Sequence, residues 1–381
     1  MKNIHIYTSI NLYYLPKARV LANSVKKLCP QATFHLMLSD EIPDWLSLDQ
    51  EPFDHIIVPE DLGIENINSW IFKHSVVELC TAVKPFAAQK ILERDDTDVL
   101  FYFDPDIVLF SNIDDLIQRA WDSSILLTPH VTVPETEIQA IRDNEISCLK
   151  HGIFNLGFLG LKNDQEGTRF AKWWGERLLD FCYDDIPEGL FTDQKWCDFA
   201  PVFFPSLDIV REPQYNASTW NYTSRQFSGS REKGIKVNQV PLCFYHFSGF
   251  DNGAHEYMRK RYQAECLTLK EMESWYKAVC AESEHLMPKK LNWKYGSYEN
   301  GEPVLKEHRL MYRKHSDLEE HFPNPFEVDT NSFFAWCKSN INKSNGTRKL
   351  HLIKHFRPLY RHLPLSLKLK LKAFATDLGI Y

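Results

Sequence analysis

The chain has 381 residues, of which 44% are hydrophobic and 13% aromatic, and its formal net charge at pH 7 is -7. This length predicts one large α/β domain plus an appendage, and the apolar content excludes general disorder. The negative balance excludes a protein that binds nucleic acid through its overall charge.

Five segments have the alternating or β-branched pattern of strands: 3–10, 33–40, 55–60, 99–110 and 124–130. A helix that ends before Pro30 separates the first two, and a helical stretch over about 70–93 precedes the fourth. This alternation predicts a mostly parallel sheet with helices on both faces. In such sheets ligands bind beyond the carboxyl ends of the strands.

The nine cysteines are widely spaced and form no CxxC pair. This pattern predicts reduced, mostly buried thiols of a cytosolic protein rather than a disulfide framework or a zinc site. The N-terminal MKNIHIYTSINLYY lacks the apolar core of a signal peptide, and no stretch approaches the roughly 18 apolar residues of a membrane span. We therefore expect a cytoplasmic protein.

The segment FYFDPDIVLFS places Asp104 and Asp106 late in an apolar run, with Pro105 between them. If the run stays extended, alternate side chains point to the same side and the two carboxylates converge. Such a pair suits Mg²⁺ or Mn²⁺, with other positions left for phosphate oxygens. The alternative is a strand end with turn residues, and the motif alone does not separate the two.

Later segments set polar groups among aromatics, as in YNASTWNYTSR, which suits a small-molecule pocket. In YHFSGF, His246 is either a satisfied core residue or a metal ligand, and a nitrogen ligand favours Mn²⁺ over Mg²⁺. In FNLGF and FTDQK, the polar residues either are turn and cap residues or hydrogen-bond sugar hydroxyls. Residues 256–283 have a helical pattern, and 290–340 look irregular.

Residues 343–372 hold nine Lys or Arg and three His, with no Asp or Glu. A basic block with interspersed leucines suits an anionic membrane surface. The alternatives are a solvated basic tail and a helix packed on the domain. We expect peripheral contact with the cytoplasmic face of the inner membrane through 341–381.

The order of an N-terminal βαβ half, YFDPD, FNLGF, TDQKW and YHFSG resembles the nucleotide-sugar glycosyltransferases of the GT-A fold, a Rossmann-like α/β fold. The likeness points to the retaining group that includes glycogenin and the bacterial lipopolysaccharide galactosyl- and glucosyltransferases. WWGERL, YNASTWNY and HFSG add a likeness to bacterial polysaccharide glycosyltransferases. The resemblance covers about 1–255, the predicted nucleotide-sugar-binding and catalytic domain. A helical or irregular extension over 256–340 and the basic tail over 341–381 follow.

The resemblance implies a role for each matching residue. Asp104, Asp106 and His246 would hold Mn²⁺, or Mg²⁺, on the diphosphate of a UDP-sugar. Asp193 and Gln194 match the family's catalytic pair. The residues implied to contact the donor are Tyr7, Thr8, Ser9, Lys84, Asp104, Asn155, Gly157, Ser248 and Gly249. Trp220 and Asn221 would line the acceptor side, because flat aromatics suit sugar faces.

The resemblance predicts a metal-dependent enzyme that moves a hexose, with retention, from a UDP-sugar to a hydroxyl of a bacterial surface glycan. That acceptor would be lipopolysaccharide, O-antigen or capsule, including lipid-linked forms. The alternatives are an inverting transferase of the same fold, a nucleotide-sugar hydrolase and a non-catalytic glycan-binding protein. One segment departs from the family. After His246 the family has a glycine and a lysine-proline-tryptophan element that touches phosphate, whereas this chain has GFDNGAHE.

Overall fold

The computed structural model describes residues 3–344, with side chains as far as residue 340. The strands, in chain order, are β1 (Ile4–Ile10), β2 (Thr33–Leu38), β3 (His55–Ile57), β4 (Val99–Phe103), β5 (Ile107–Leu109), β6 (Ile125–Pro129), β7 (Phe154–Lys162), β8 (Asp184–Asp185), β9 (Leu190–Phe191), β10 (Leu207–Ile209), β11 (Phe227–Ser230), β12 (Gly234–Val237), β13 (Val240–Pro241) and β14 (Phe244–His246). The helices, in chain order, are α1 (Leu15–Leu28), α2 (Ile67–Phe72), α3 (Val76–Ala82), α4 (Lys84–Leu92), α5 (Asp114–Asp122), α6 (Ile138–Ala140), α7 (Ile146–His151), α8 (Gln165–Phe181), α9 (Ala200–Phe203), α10 (Ala254–Tyr262), α11 (Leu267–Glu284), α12 (Lys306–Lys314), α13 (Ser316–His321) and α14 (Phe333–Ser344). The predicted basic tail lies outside the described residues, apart from the backbone of 341–344.

Seven strands form the central sheet, in the order β10-β6-β7-β4-β1-β2-β3. All neighbours are parallel except β7, which runs antiparallel to both β4 and β6. Helices α1 and α5 pack on one face, and α4 and α8 pack on the other. Every residue of β1 and β4 is buried, as expected of parallel strands covered on both faces. The predicted α/β architecture with a mostly parallel mixed sheet is confirmed.

The predicted helical stretch over 70–93 is three helices, α2 to α4. Ser75 and Glu78 form a capping box that begins α3, with the Ser75 amide donating to the Glu78 carboxylate over 2.7 Å. Pro85 stands in the first turn of α4, where its missing N–H costs nothing. Lys84 is therefore the first residue of a helix, and it lies at the edge of the sheet where β4 ends.

The region expected to look irregular, 290–340, contains α12, α13 and most of α14 between irregular segments, which agrees with a helical or irregular extension. Its aromatics pack on the main core: the ring centroids of Phe326 and Phe333 lie 5.0 and 5.4 Å from that of Phe72. These helices have only 9, 6 and 12 residues, and segments so short give little periodicity to read in the sequence. None of the helices in residues 3–344 combines the length and the apolar character needed to cross a membrane.

The nine cysteines all lie within the described residues, and each is a free thiol. Six of the nine are buried, which agrees with the prediction of mostly buried thiols. Burial raises the pKa of the Cys80 thiol, beside the candidate site, to about 12. A thiol with so high a pKa stays protonated at neutral pH and is a poor nucleophile.

Three histidines stack across the edge of the sheet. His5, His35 and His55 stand on β1, β2 and β3, with neighbouring ring centroids 5.1 and 4.8 Å apart. The Nδ1 of His5 lies 2.8 Å from the Nε2 of His35, so one ring nitrogen of the pair must be unprotonated for a hydrogen bond. Burial, with a smaller contribution from the neighbouring His5 and His55 rings, lowers the pKa of His35 to about 3.

This stack predicts acid-sensitive stability. His35 in the unfolded chain titrates near its ordinary value of 6.5, whereas in the folded chain it stays neutral to about 3. Between these values the unfolded state binds more protons, so stability present above pH 6.5 is lost as pH falls. The slope from this group is about 1.4 kcal/mol per pH unit. Urea unfolding at pH 7.5 and pH 5 should therefore show a smaller loss for His35→Phe than for the wild type, and equal losses would contradict the prediction.

Candidate active site

Asp104 and Asp106 lie on a tight turn between β4 and β5. The amide of Ile107 donates to the carbonyl of Asp104 over 3.0 Å, and Pro105 takes the second position, where its fixed φ suits a turn. The two carboxylates converge as predicted, but they do so on a turn and not by alternation along an extended strand. The side chains are 25% and 16% exposed, so both carboxylates remain open to a ligand.

A second short pairing brings His246 to this turn. Strand β14 pairs antiparallel with β5, which places His246 opposite Ile107, the residue after Asp106. The amide of Phe247 also donates to the carbonyl of Asp106 over 2.8 Å. As a result, the Nε2 of His246 lies 2.9 Å from the Oδ1 of Asp106 and 3.8 Å from the Oδ2 of Asp104.

These three side chains fit a divalent cation. One ligand atom from each of Asp104, Asp106 and His246 lies within 4.8 Å of the others. Ligands about 2.0–2.1 Å from an octahedral ion stand about 3 Å apart at neighbouring positions, close to the observed Asp106–His246 separation. Two carboxylates with one imidazole suit Mn²⁺ better than an all-oxygen site does. Burial lowers the pKa of His246, but the charge of Asp106 outweighs it, so the net pKa is raised.

Gly157 makes room for the His246 ring. A Cβ built on Gly157 would lie 2.5 Å from the Cε1 and 2.7 Å from the Nδ1 of His246. The Gly157 carbonyl accepts from the amide of Asp104 over 2.8 Å, so this strand residue touches both sides of the site. Gly157 thus contacts a candidate metal ligand, and its contact with the donor stays a prediction.

Gly157→Ala should therefore displace the His246 ring and weaken Mn²⁺ binding. Loss of ligand orientation typically costs about 10- to 100-fold in metal affinity, and we expect a change in that range. Gly296→Ala is the matched control, since its Cβ would meet only Trp293 at an ordinary 3.4 Å. Mn²⁺ titration followed by electron paramagnetic resonance measures both variants. Wild-type affinity in Gly157→Ala, with the fold retained, would contradict the assignment of His246.

A hydrogen-bond chain orients the outer nitrogen of His246. Its Nδ1 lies 3.3 Å from the Oδ1 of Asn216, and the Asn216 amide donates to Asn155 and Thr128 over 2.9 and 2.7 Å. Because the Asn216 nitrogen is committed to these acceptors, its oxygen must accept from the Nδ1–H of His246. With this proton held on Nδ1, the Nε2 can give up its own proton and offer a lone pair when a metal binds, as a metal ligand requires.

The same series of hydrogen bonds continues from Asn155 to the far side of the cavity. The Asn155 oxygen also accepts from the amide of Gly157 over 3.1 Å, and its nitrogen donates to His130 and Gln194 over 3.2 and 3.4 Å. Gln194 accepts from the amide of Leu156 over 3.1 Å. Burial lowers the pKa of His130 to about 4, so its Nε2 is a neutral acceptor. Most of the hydrogen bonds that Asn155 and Gln194 can form are thus made within the protein, to each other, to neighbouring side chains and to the backbone.

Lys84 and Asp193 form a buried ion pair beside the metal triad. The Nζ of Lys84 lies 3.0 Å from the Oδ2 of Asp193 and 3.2 Å from the Oδ1 of Asp104, over the ring of Tyr102. Burial alone would lower the pKa of Lys84, but Asp104 and Asp193 raise it above its usual value. Burial raises the pKa of Asp193, and Lys84 offsets part of that rise. One ammonium therefore connects a candidate metal ligand to a carboxylate that can act on substrate.

The backbone before Asp193 is strained. Thr192 has φ +44°, which is rare for a β-branched residue. The Thr192 hydroxyl donates to the Oδ1 of Asp193 over 3.2 Å, and the indole of Trp174 donates to the Asp193 carbonyl over 3.2 Å. Strain held by surrounding contacts is typical of functional sites, and here it fixes the direction of the Asp193 carboxylate.

These groups line a single cavity of about 740 Å³ at the carboxyl ends of β1 and β4. The predicted site residues that line it are Ser9, Lys84, Asp104, Asp106, Asn155, Asp193, Gln194, Trp220, His246 and Ser248. The predicted site residues that do not line it are Tyr7, Thr8, Gly157, Asn221 and Gly249. Tyr7 is buried and donates to the carbonyl of Lys84, and Asn221 caps a short turn through the amide of Ser218.

Sequence reasoning missed three residues that shape the site. Tyr102 donates its hydroxyl to the Oδ1 of Asp104 over 2.5 Å, and its position two residues before Asp104, near the end of β4, was a usable signal. Asn216 joins His246 to Asn155, but the sequence offered it only as part of a YNAS motif. His130 follows β6, where a polar residue at the end of a parallel strand could have been noticed.

No protein-family model matches the chain. Two curated relatives from Bacillus subtilis (strain 168) do: YfnF, 30% identical over 177 residues, and YfnD, 23% identical over 255 residues. Both are named as uncharacterized proteins. The YfnF alignment covers 45% of this chain and 57% of YfnF, and the YfnD alignment covers 66% of this chain and 79% of YfnD.

Several solved structures similar to this chain are glycosyltransferases. The galactosyltransferase LgtC, in complex with donor and acceptor sugar analogs, is 14% identical with a TM-score of 0.42 and covers 76% of this chain and 97% of its own. GlyE of Streptococcus pneumoniae is 14% identical with a TM-score of 0.41, and the match covers 77% of this chain and 66% of the GlyE chain. Mouse xyloside xylosyltransferase 1 is 15% identical with a TM-score of 0.39, and the match covers 65% of this chain and 98% of the mouse chain. This chain is thus similar to glycosyltransferases of known structure.

Proposed function

We propose that the chain is a metal-dependent glycosyltransferase that moves a hexose from a nucleoside diphosphate donor, UDP-hexose in the first instance, to a hydroxyl of a bacterial surface glycan. One observation carries the proposal. A candidate metal triad and the Lys84–Asp193 ion pair meet in one cavity, joined through Asp104. Transfer of a sugar from a diphosphate requires a metal site for the diphosphate and, beside it, a carboxylate held in a fixed direction.

Asp104, Asp106 and His246 would hold Mn²⁺ or Mg²⁺ at this cavity. The ion supplies positive charge to the diphosphate, which makes it a better leaving group. Asn216 and Gly157 keep the His246 ring in place for that role. Ser9 and Ser248 line the same cavity. The Ser248 hydroxyl would contact the nucleotide, whereas the Ser9 hydroxyl already donates to the carbonyl of Cys80 over 2.7 Å and would only accept.

Asp193 would act on the sugar. As the diphosphate leaves, positive charge develops at the anomeric carbon, and a fixed carboxylate in a buried site stabilises it. Lys84 offsets part of the effect of burial on Asp193 and holds the direction of its carboxylate. We propose transfer with retention, in which Asp193 and Gln194 stabilise one face while the acceptor hydroxyl enters on the leaving-group side. Asp193 acting as a general base would instead give inversion.

The acceptor would enter along the rim that carries Trp220. The Trp220 ring packs edge-on against His246 and His130, with ring centroids 5.1 Å away in both cases. Its indole nitrogen is buried and has no hydrogen-bond partner among the described residues, so it can donate to a sugar hydroxyl. A lipid-linked acceptor at the cytoplasmic face of the membrane is part of the proposal.

A thermal-shift screen tests the donor. UDP-, GDP- and CMP-sugars with Mn²⁺ should raise the melting temperature only where a donor binds the folded state. Product analysis of the best donor then separates transfer from hydrolysis. Nucleotide release that rises with a glycan acceptor, with the sugar found on that acceptor in the donor's anomeric configuration, supports the proposal. Release unaffected by any acceptor indicates hydrolysis, and an inverted product rules out retention.

A further inference from the structure

Lys17 is a buried cation close to the candidate metal site. It stands in the first turn of α1, is only 8% exposed, and forms an ion pair with Asp251. The Tyr14 ring lies 4.3 Å from its ammonium, and the Tyr14 hydroxyl donates to the same Asp251 carboxylate over 3.0 Å. Tyr14 lines the cavity together with Asp106. The Lys17 ammonium is thus held one side chain away from the cavity.

The partner of Lys17 belongs to the segment that departs from the family pattern. Asp251 lies in GFDNGAHE, five residues after His246, and its side chain is 55% exposed. Gly249 and Gly253 flank it with φ +73° and +78°, conformations that glycine adopts without strain. The segment therefore carries an exposed carboxylate that meets a mostly buried ammonium.

The fixed charges of the site provide no cation to balance the negative charge of a bound diphosphate. Asp104, Asp106 and Asp193 are negative, and Lys84, the cation between them, is already shared by Asp104 and Asp193. A divalent ion would bring this set to neutrality but would leave the phosphate charge without a partner. In a partly buried site such a charge is costly, so a further cation nearby would have a large effect.

We propose that Lys17 exchanges Asp251 for a phosphate oxygen of the donor's diphosphate when the nucleotide binds, an inference that rests on the proposed function. In the free protein Asp251 compensates the buried ammonium, which would otherwise be unpaired. In the bound protein Lys17 adds a charge-assisted hydrogen bond to the leaving group. Asp251, already largely solvated, returns to water at little cost.

The test is calorimetric titration of the full chain with inorganic pyrophosphate and with UDP, each in the presence of Mn²⁺. Pyrophosphate makes the result independent of the nucleobase. Lys17→Met should weaken both ligands by about tenfold, whereas Lys17→Arg should keep most of the affinity. Asp251→Asn should bind at least as tightly as the wild type, since Lys17 no longer has a competing partner. Lys26→Met is the matched control, because Lys26 pairs with Asp54 at the other end of the same helix.

Two results would overturn the role of Lys17. One is that Lys17→Met binds pyrophosphate and UDP as tightly as the wild type. The other is that Asp251→Asn loses as much affinity as Lys17→Met, which would show that the ion pair only anchors the GFDNGAHE segment. If the wild type binds both ligands, Asp106→Asn does not, and Lys17→Met does, the proposed function stands and only this inference fails. If the wild type binds neither ligand with Mn²⁺, the proposed function itself fails.

Discussion

Asp106→Asn should reduce Mn²⁺ affinity by at least about 100-fold, because it removes the charge of a direct ligand where loss of a supporting contact alone costs about 10- to 100-fold. Asparagine keeps the shape of the side chain, so the turn around Pro105 should survive. The His246 ring would lose its 2.9 Å partner but keep its contact with Asn216. Equilibrium titration with Mn²⁺ measures the change directly.

Asp114→Asn is the control for that experiment. Asp114 is exposed, begins α5, and lies outside the cavity. It should leave Mn²⁺ affinity unchanged while altering the net charge by the same amount as Asp106→Asn. Circular dichroism of both variants separates a lost ligand from a lost fold. If Asp106→Asn binds Mn²⁺ as tightly as the wild type, Asp106 is not a metal ligand and the proposed metal site is wrong.

Asp193→Asn should lower turnover of the identified donor by about 10²- to 10³-fold, the range observed when one stabilising group is removed from a transition state. Donor affinity should change little, since the metal triad and Ser248 are untouched. A fall in kcat with little change in donor affinity identifies an interaction made mainly in the transition state. Steady-state kinetics together with calorimetric donor binding provides both numbers.

Asp198→Asn is the matched control for Asp193. Asp198 lies five residues on, pairs with Lys195 and accepts from the amide of Ile153, but does not line the cavity. Its loss should leave turnover within a few-fold of the wild type. If Asp193→Asn retains full turnover, or if both variants fall equally, Asp193 does not act on the sugar.

The sheet could be predicted from sequence because its strands are apolar runs separated by helical segments. The helices around it were harder to predict. A capping box at Ser75 and a proline at position 85 both mark helix starts, but a continuous helical pattern over 70–93 concealed the breaks. Tertiary packing, rather than local pattern, decides how the short helices of 290–340 form.

The candidate metal triad could be proposed from sequence, but its geometry could not. Asp104 and Asp106 converge because of a turn, and His246 joins them because β14 pairs with β5 in one register. That pairing joins segments far apart in the chain, and no local pattern encodes it. For the same reason, Asn216 and the ion pair of Lys17 with Asp251 became visible only in the folded chain.

The most direct measurement for the central claim is the coupling between metal and nucleotide in the wild-type chain. UDP, GDP and CDP should be titrated calorimetrically with Mn²⁺ and again with the metal chelated. We expect Mn²⁺ to raise the affinity for one of these nucleotides at least about tenfold, and this nucleotide to raise Mn²⁺ affinity by the same factor. Equal affinity with and without Mn²⁺, for every nucleotide, would contradict a metal-held diphosphate at Asp104, Asp106 and His246.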